Sequence, residues 1–234
     1  MAAAETQLPS INLTLNDIIS TFSGIRPVIG TGKADPSKEA RDHAAWEEEG
    51  LLTVTGGKMT TFRLIALDVL KAVRHRLPQM PEPNKYMTAL NQMEMDIHYN
   101  KSDKLTETMR RRLAGCYGSD VRALIDAAQP EELKEIPTTC NLWAELRWAT
   151  SDEGIDHLED LMLRHTRLGL TIPEGGKALL PVIRSICQAE LVWDNVHWQE
   201  EEQSYLSSWQ QSYNLPEETI PDWRAMLKNK RYSL

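Results

Sequence analysis

Cysteine is scarce in this chain of 234 residues, occurring only at positions 116, 140 and 187. Three widely spaced thiols exclude the paired framework of a disulfide-rich domain, and their spacing does not match that of a thiolate metal site. They fit a reducing compartment. We therefore predict that Cys116, Cys140 and Cys187 are packing residues.

Excess positive charge and long apolar runs are also missing. The formal net charge is -8, so the chain has no general attraction to nucleic-acid phosphates, and an anion site would depend on a few local cations. No window approaches the roughly 18 apolar residues of a membrane span, and no signal-peptide pattern follows Met1. With 41% hydrophobic residues, we expect a folded protein that is cytoplasmic or peripheral to a membrane and binds no nucleic acid.

Several catalytic motifs are absent. The sequence has no Gly-x-Gly-x-x-Gly turn, no Gly-x-Ser-x-Gly nucleophile motif and no His-Glu-x-x-His metal motif. Gly30-Thr31-Gly32-Lys33 resembles a phosphate loop, but Pro27 and Ala34 stand where that pattern needs a glycine and a hydroxyl. We therefore expect no metal site and no nucleophilic triad, and a dinucleotide would need its phosphate cradle elsewhere.

The chain does contain a change of pattern along its length. Strand and helix signals mix in the first part, whereas almost everything after about residue 106 has helical periodicity. The predicted fold class is therefore α+β, a part with strands and a helix followed by an all-α domain. The predicted limits are a strand-and-helix part at 1–76, a linker at 77–104, a helical domain at 105–213 and a tail at 214–234.

Local signals place the individual elements. Thr14, followed by Asp17 three residues later, predicts the capped start of a short helix. Strands are predicted at 22–29, 41–46 and 51–55. Further helices are predicted from residue 60 and at about 105–114, 119–128, 140–150, 156–164, 176–194 and 198–213.

The run Gly56-Gly57-Lys58-Met59-Thr60-Thr61 joins a predicted strand to a predicted helix. Its glycines permit positive φ angles, and the free N–H groups and positive dipole end of the helix lie beside Lys58. Such a helix start favours a negatively charged ligand, and the hydroxyls of Thr60 and Thr61 can cap the helix or bond that ligand. Taken alone, the run also describes a tight structural turn with a capping threonine.

Two arginines offer further local cations. Arg26 lies between Gly24 and Pro27, so its guanidinium leaves the backbone in a fixed direction, which suits bidentate anion binding. Arg41 is a similar candidate within Glu39-Ala40-Arg41-Asp42. Both are also readable as surface arginines, since two carboxylates flank Arg41.

Together these motifs resemble the C-terminal part of FAD-dependent glycerol-3-phosphate dehydrogenases of the aerobic, quinone-linked type. The resemblance is carried by Asp-Ile-Ile-Ser-Thr-Phe-Ser-Gly-Ile-Arg-Pro at 17–27, Glu-Ala-Arg-Asp at 39–42 and Gly-Gly-Lys-Met-Thr-Thr-Phe-Arg at 56–63. Segments 111–119 and 160–170 extend it into the helical part. It covers essentially the whole chain to about residue 215.

The resemblance implies a cofactor, a substrate and their contacts. The residues implied to contact FAD are Gly56, Gly57, Lys58, Met59, Thr60 and Thr61. Arg26, Arg41 and Lys58 are implied to bind glycerol 3-phosphate, with catalytic roles for Arg26 and Lys58. The implied reaction moves a hydride from C2 of glycerol 3-phosphate to the flavin, gives dihydroxyacetone phosphate and passes electrons to a membrane quinone.

The resemblance also sets expectations about completeness and location. His165 stands where the family often has a second arginine, and Ala40 where a hydroxyl often precedes the arginine. The family's N-terminal nucleotide-binding region has no counterpart in this sequence, so we expect a C-terminal fragment with an incomplete FAD site, inactive alone. That region is its expected partner, with a second copy of the chain as a further candidate. We expect the full-length protein to be peripheral on the inner face of the membrane.

Two other hypotheses stay open. The chain is alternatively a non-catalytic remnant or assembly module of this fold, or part of a flavin oxidoreductase acting on another hydroxy or amino substrate. Arg26 and Arg41 together favour a phosphorylated substrate over the second alternative.

Overall fold

The computed structural model describes residues 6–25, 29–30, 42–86 and 105–215. The chain separates into two compact units. We call Ser23–Gln92 the strand unit, and Met1–Phe22 together with Met93–Leu234 the helical unit. The strand unit contains a two-stranded sheet and a helix, and the helical unit consists of successive helices. The predicted α+β fold class is confirmed.

The strand unit is organised around a β-hairpin. Strand β1, His43–Glu48, pairs antiparallel with β2, Leu51–Gly56, in a register that opposes His43 to Gly56. The two-residue turn between them has positive φ at both positions, 48° at Glu49 and 89° at Gly50, as the twist of a tight hairpin requires. The strands predicted at 41–46 and 51–55 are confirmed, except that residue 41 lies outside the described residues.

Helix α1, Phe62–Val73, follows the hairpin. A 3-10 turn, Met59–Thr61, leads into it and another, Arg74–Arg76, ends it, so the helix predicted from residue 60 is confirmed. Its apolar side chains are half-buried at best, and no described residue of the strand unit is fully buried. The strand unit therefore has defined local structure without a closed core of its own.

Two predictions for the start of the chain are wrong in part. Residues 22–25 and 29 form no strand, because no described strand pairs with them, and Ile25 is 98% exposed. The predicted capped helix is a single 3-10 turn, Leu15–Asp17. Its capping pair is present, since the Asp17 carboxylate accepts hydrogen bonds from the Thr14 backbone N–H (2.6 Å) and hydroxyl (2.8 Å).

The segment before the strand unit is bonded to the helical unit. Ser20 Oγ donates to the Leu170 carbonyl oxygen at 2.8 Å, and the Thr21 N–H donates to the Tyr213 carbonyl oxygen at 2.7 Å. These bonds place residues 6–22 with the helices, whereas the sequence pattern grouped them with the strands. The domain limits at 76, 104 and 213 stay predictions.

The helical unit begins at Leu105. Its α-helices are α2 Glu107–Tyr117, α3 Val121–Ala127, α4 Trp143–Asp152, α5 Leu168–Thr171, α6 Leu180–Cys187 and α7 Asn195–Ser212. A π-helical turn, Asp160–His165, stands between α4 and α5. The first and last of these helices are capped by Thr106, which accepts from the Met109 N–H at 3.2 Å, and by Asp194, which accepts from the His197 N–H at 2.8 Å. Helices are confirmed in all six predicted windows.

One predicted helix, at 176–194, is too long. Glu174, Gly175 and Gly176 have positive φ angles and delay the start of α6 to Leu180. At the other end, the side-chain amide of Gln188 donates to the Trp193 carbonyl oxygen at 3.1 Å and closes a turn before α7. The two separate helices predicted at 176–194 and 198–213 are therefore present, but the first is limited to Leu180–Cys187.

Helix α4 separates two parts of the core. One side packs Leu113, Leu124 and other buried residues of α2 and α3. The other packs Trp198 and neighbours from the π-helical turn, α6 and α7. Burying each large apolar side chain contributes about 1.5–3 kcal/mol. Every fully buried side chain among the described residues belongs to the helical unit.

The cysteine prediction is correct at one position of three. Cys187 is buried, and burial raises the pKa of its thiol to about 12, so it is a packing residue. Cys116 and Cys140 are exposed. Their helix and loop positions face solvent rather than either core cluster, so the packing interpretation is wrong for them.

Candidate functional site

The predicted flavin-contacting run lies at the end of the hairpin. Gly56 is the last residue of β2, Gly57 and Lys58 form the turn, and the 3-10 turn begins at Met59. Gly56 and Gly57 have φ angles of 79° and 80°, in the left-handed region that side chains rarely adopt. The turn reverses the chain from sheet to helix over two residues.

Close packing is a second reason why positions 56 and 57 require glycine. A Cβ on Gly56 would lie 2.6 Å from the Asp42 carbonyl oxygen, and a Cβ on Gly57 would collide with the Cδ1 atom of Ile65. The space that the glycines leave free is thus filled by the strand unit itself. Their identity is explained by the fold, and any ligand would meet the outer side of the turn.

Three donors near the start of the helix have no acceptor among the described residues. Thr61 caps the turn, since its N–H donates to the Lys58 carbonyl oxygen at 2.9 Å and its hydroxyl donates to the same atom at 3.0 Å. The N–H groups of Met59 and Thr60 precede the first intrahelical bond and find no acceptor among the described residues. The Lys58 ammonium likewise has no described partner. Chemically, this arrangement suits a negatively charged group.

Ion pairs hold the hairpin against α1 below this turn. His43 Nε2 lies 3.2 Å from an Asp68 oxygen, and Arg76 pairs with Glu47 while donating to the Gly50 carbonyl oxygen at 2.7 Å. The bonds tie both ends of β1 to the helix. Sequence reasoning named neither Asp68 nor His43 as part of the site, and no local motif distinguishes such a pair from surface charges.

The structure brings six of the eight predicted site residues together in one turn. These six are consecutive in sequence, so their proximity is local. Arg26 and Arg41 lie outside the described residues, and their roles stay predictions.

A second constellation lies in the helical unit and was not predicted as a site. The Glu145 carboxylate is 2% exposed and accepts bidentate hydrogen bonds from Arg112, with one N–O distance of 3.1 Å. It also accepts from the Tyr117 hydroxyl at 2.8 Å and from the Leu142 N–H at 2.6 Å. Burial, followed by the charge of Glu145, raises the pKa of the Tyr117 phenol far above its ordinary range, so it remains a donor.

This network forms the floor of a cleft of about 450 Å³, which we call the Arg167 cleft. Its walls include Arg112, Tyr117, Glu153, His165 and Arg167. Sequence reasoning had selected 111–119 and 160–170 only for their resemblance to the family. Their convergence depends on how α2, α4 and the π-helical turn pack, and it could not be read from spacing.

The described residues contain neither a candidate membrane span nor a candidate metal-binding cluster. None of the helices described is both long and apolar enough to cross a membrane. Across residues 6–25, 29–30, 42–86 and 105–215, no group of three or more His, Cys, Asp or Glu side chains is arranged to hold a metal ion.

Comparison with known proteins identifies the class to which these features belong. Residues 78–197 match the model of the C-terminal domain of alpha-glycerophosphate oxidase, and the chain belongs to that family. It is also similar to the aerobic glycerol-3-phosphate dehydrogenases of Staphylococcus aureus strains USA300, NCTC 8325 / PS 47 and bovine RF122 / ET3-1. With each it shares 30% identity over 182 residues, covering 70% of this chain and 33% of the relative. The chain thus spans about a third of the length of the curated relatives it matches.

Proposed function

We propose that this chain forms the C-terminal part of a flavoprotein that oxidises glycerol 3-phosphate to dihydroxyacetone phosphate. FAD would accept the hydride from C2 of the substrate, and the electrons would pass to a quinone at the membrane surface. The observation that carries the proposal is the donor set at the glycine turn, Lys58 with the N–H groups of Met59 and Thr60, which have no partner among the described residues. Family membership supports the same conclusion.

The donor set fits a flavin wall on chemical grounds. A ring that gains negative charge on reduction is stabilised by fixed donors and by the positive end of a helix. The Met59 side chain is 87% exposed beside these donors and offers an apolar surface to an aromatic ring. We propose that Gly56, Gly57 and residues 58–61 hold FAD along this wall.

Lys58 is proposed to serve the substrate as well as the cofactor. An ammonium near C2 would stabilise negative charge that develops on the substrate oxygen as the hydride leaves. We propose that Arg26 and Arg41 bind the phosphate group, since guanidinium forks match phosphate oxygens bidentately. Their placement rests on the family resemblance.

The proposed site needs more protein than this chain provides. The strand unit has large exposed apolar side chains, including Leu51 (69%) and Leu64 (59%), and lacks a closed core among its described residues. We propose that the nucleotide-binding part of the enzyme covers them. Consequently, this chain alone should not retain FAD through gel filtration.

A second candidate function is a non-catalytic assembly module. It is favoured by the distribution of burial, since the helical unit contains every fully buried side chain among the described residues. On this hypothesis the helical unit folds and associates without any turnover.

A chimaera tests the proposed function. The third of the Staphylococcus aureus dehydrogenase that matches this chain is replaced by this chain, and FAD retention and dye reduction with glycerol 3-phosphate are measured. We expect a flavin-bound, active chimaera in which Lys58→Gln lowers kcat/KM at least about tenfold, equivalent to about 1.4 kcal/mol of transition-state stabilisation. Lys71→Gln is the matched control, because this lysine lies in α1, its side chain is 67% exposed and its ammonium pairs with Asp68 at 3.4 Å.

Two results would count against the proposal. A flavin-bound chimaera with no activity would favour the assembly module. Equal activity of the Lys58→Gln and Lys71→Gln chimaeras would show that Lys58 does not contribute to the site. Parallel assays with glycerol, glycerate and an amino acid identify any other hydroxy or amino substrate.

A further inference from the structure

The Arg167 cleft has the size of a ligand site and plays no part in the dehydrogenase proposal. Its volume of about 450 Å³ lies within the roughly 300–1,000 Å³ typical of small-molecule sites. All of its walls belong to the helical unit. The floor is rigid, because five hydrogen bonds converge on the buried Glu145 carboxylate.

The charged groups around the cleft are mostly already paired. Glu145 is matched by Arg112. Arg164 is 2.7 Å from an Asp160 oxygen and also bonds the neighbouring Glu159. The second carboxylate of the lining, Glu153, has an oxygen 2.7 Å from Nδ1 of His165.

Arg167 is the exception. Arg167 is one of the residues that line the cleft and is exposed to solvent, yet no described residue offers its guanidinium a hydrogen-bond acceptor or an opposite charge. Among the charged residues of the cleft, Arg167 therefore supplies one planar, permanently charged fork whose donors have no partner in the part of the chain that the structure describes. Such a fork matches the geometry of carboxylate and phosphate oxygens.

The backbone at Arg167 is also unusual. Its φ of 58° and ψ of 19° are left-handed, which for a residue with a long side chain is uncommon and costs free energy. The preceding residues form a π-helical turn that is closed by the Thr166 N–H and hydroxyl, at 3.0 and 2.6 Å from the Leu161 carbonyl oxygen. π-Helical turns and left-handed non-glycine residues both concentrate at functional sites. Both features therefore occur at a residue that borders the cleft.

We propose that the Arg167 cleft is a binding site for a small oxyanion, a phosphate or carboxylate group, held by the Arg167 guanidinium. The site is built from residues of the helical unit alone and takes its ligand independently of flavin. Glu153, a carboxylate that also lines the cleft, weakens the binding of an anion by charge repulsion.

Inorganic phosphate is the probe for the test. The complete chain is titrated at constant ionic strength, and the ring resonances of His165 are followed by NMR as a local reporter. We expect a saturable shift with a dissociation constant in the millimolar range, as a single charge-assisted fork allows. Acetate in a second titration distinguishes a general oxyanion site, which shifts His165 with both anions, from one that takes phosphate alone.

Removing a positive charge and removing a negative charge from the cleft should change the affinity for the anion in opposite directions. Arg167→Gln should raise the dissociation constant at least about tenfold, whereas Glu153→Gln should lower it because a like charge leaves the wall. Arg111→Gln, at an arginine that is 72% exposed on α2 and pairs with Glu107, is the control and should leave it unchanged. Thermal unfolding of each variant verifies that the fold is intact.

The proposal is overturned if His165 shows no saturable response to either anion. It is equally overturned if Arg167→Gln and Arg111→Gln weaken binding to the same extent, since that would indicate general attraction to surface charge. Lys58→Gln in the strand unit should not change the titration, so a failure here is distinguishable from a failure of the dehydrogenase proposal.

Discussion

The buried carboxylate of Glu145 allows a quantitative prediction about the helical unit. Substitution Glu145→Gln keeps the shape of the side chain and removes its charge. The bidentate bond from Arg112 and the bonds from Tyr117 and the Leu142 N–H then lose their anionic acceptor. Removing one partner of a buried ion pair costs about 3–5 kcal/mol, mostly because the other charge stays behind without compensation.

The solvent exposure of Arg112 determines where in this range the loss of unfolding free energy falls. Arg112 is 24% exposed, so water can partly solvate the orphaned guanidinium, and we expect about 3 kcal/mol. For a chain of this size, each kcal/mol lowers Tm by about 2–4 °C, which predicts a fall of about 6–12 °C. Urea denaturation followed by circular dichroism measures the free energy of unfolding directly.

A double-mutant cycle separates the ion pair from general damage. Arg112→Met should cost less in the Glu145→Gln background than in the unsubstituted chain, with a coupling energy of about 1–3 kcal/mol. Glu131→Gln is the control, since its carboxylate is 80% exposed, and it should leave the urea midpoint unchanged. A loss below about 1 kcal/mol for Glu145→Gln, or the absence of coupling, would refute this account of the network.

Two further predictions concern the glycine turn and the response to acid. Gly56→Ala should destabilise the strand unit more than Gly50→Ala, as measured by amide hydrogen exchange in the hairpin. Both glycines have positive φ, but only the Cβ added at Gly56 would meet a backbone oxygen, at 2.6 Å. Equal effects of the two substitutions would contradict this prediction. Although burial raises the pKa of Glu132, hydrogen bonds from Arg147 and a backbone N–H outweigh it and hold that pKa below its ordinary value of 4.5. The stability contributed by Glu132 is therefore complete above about pH 4.5 and is lost as the pH falls through the lowered pKa. Glu132→Gln should accordingly reduce the fall in the urea midpoint that acidification causes. An unchanged fall would show that other groups dominate the response to acid.

Several features of this protein were determined by the sequence alone. The run from β2 through Gly57 to α1 was predictable because its strand, turn and helix signals are local and each agrees with the next. The same holds for the caps and for most helices of the helical unit, whose apolar periodicity is unambiguous. Family membership was predictable from the same residues, since it depends on short motifs in a fixed order.

Tertiary structure decided the features that depend on contacts distant in sequence. The attachment of Ser20 and Thr21 to the helical unit spans 150 and 192 residues of sequence separation, and periodicity carries no information about such bonds. The early end of α6 at Cys187 is accompanied by a side-chain bond from Gln188 to the Trp193 carbonyl oxygen, which competes with helix propensity. The pairing of Arg112 with Glu145 likewise required two helices to pack before their charges could meet.

Of the two candidate sites, one could be located from the sequence and the other only from the tertiary structure. The glycine turn is a site of consecutive residues, so sequence alone could locate it, although the structure showed that its glycines are required by Asp42 and Ile65. The Arg167 cleft is assembled from four stretches of the chain. Neither its volume nor the lack of a partner for Arg167 among the described residues has a sequence signature. Neighbouring residues determine local backbone structure such as turns and helix starts, whereas burial and charge pairing arise only when distant segments pack together.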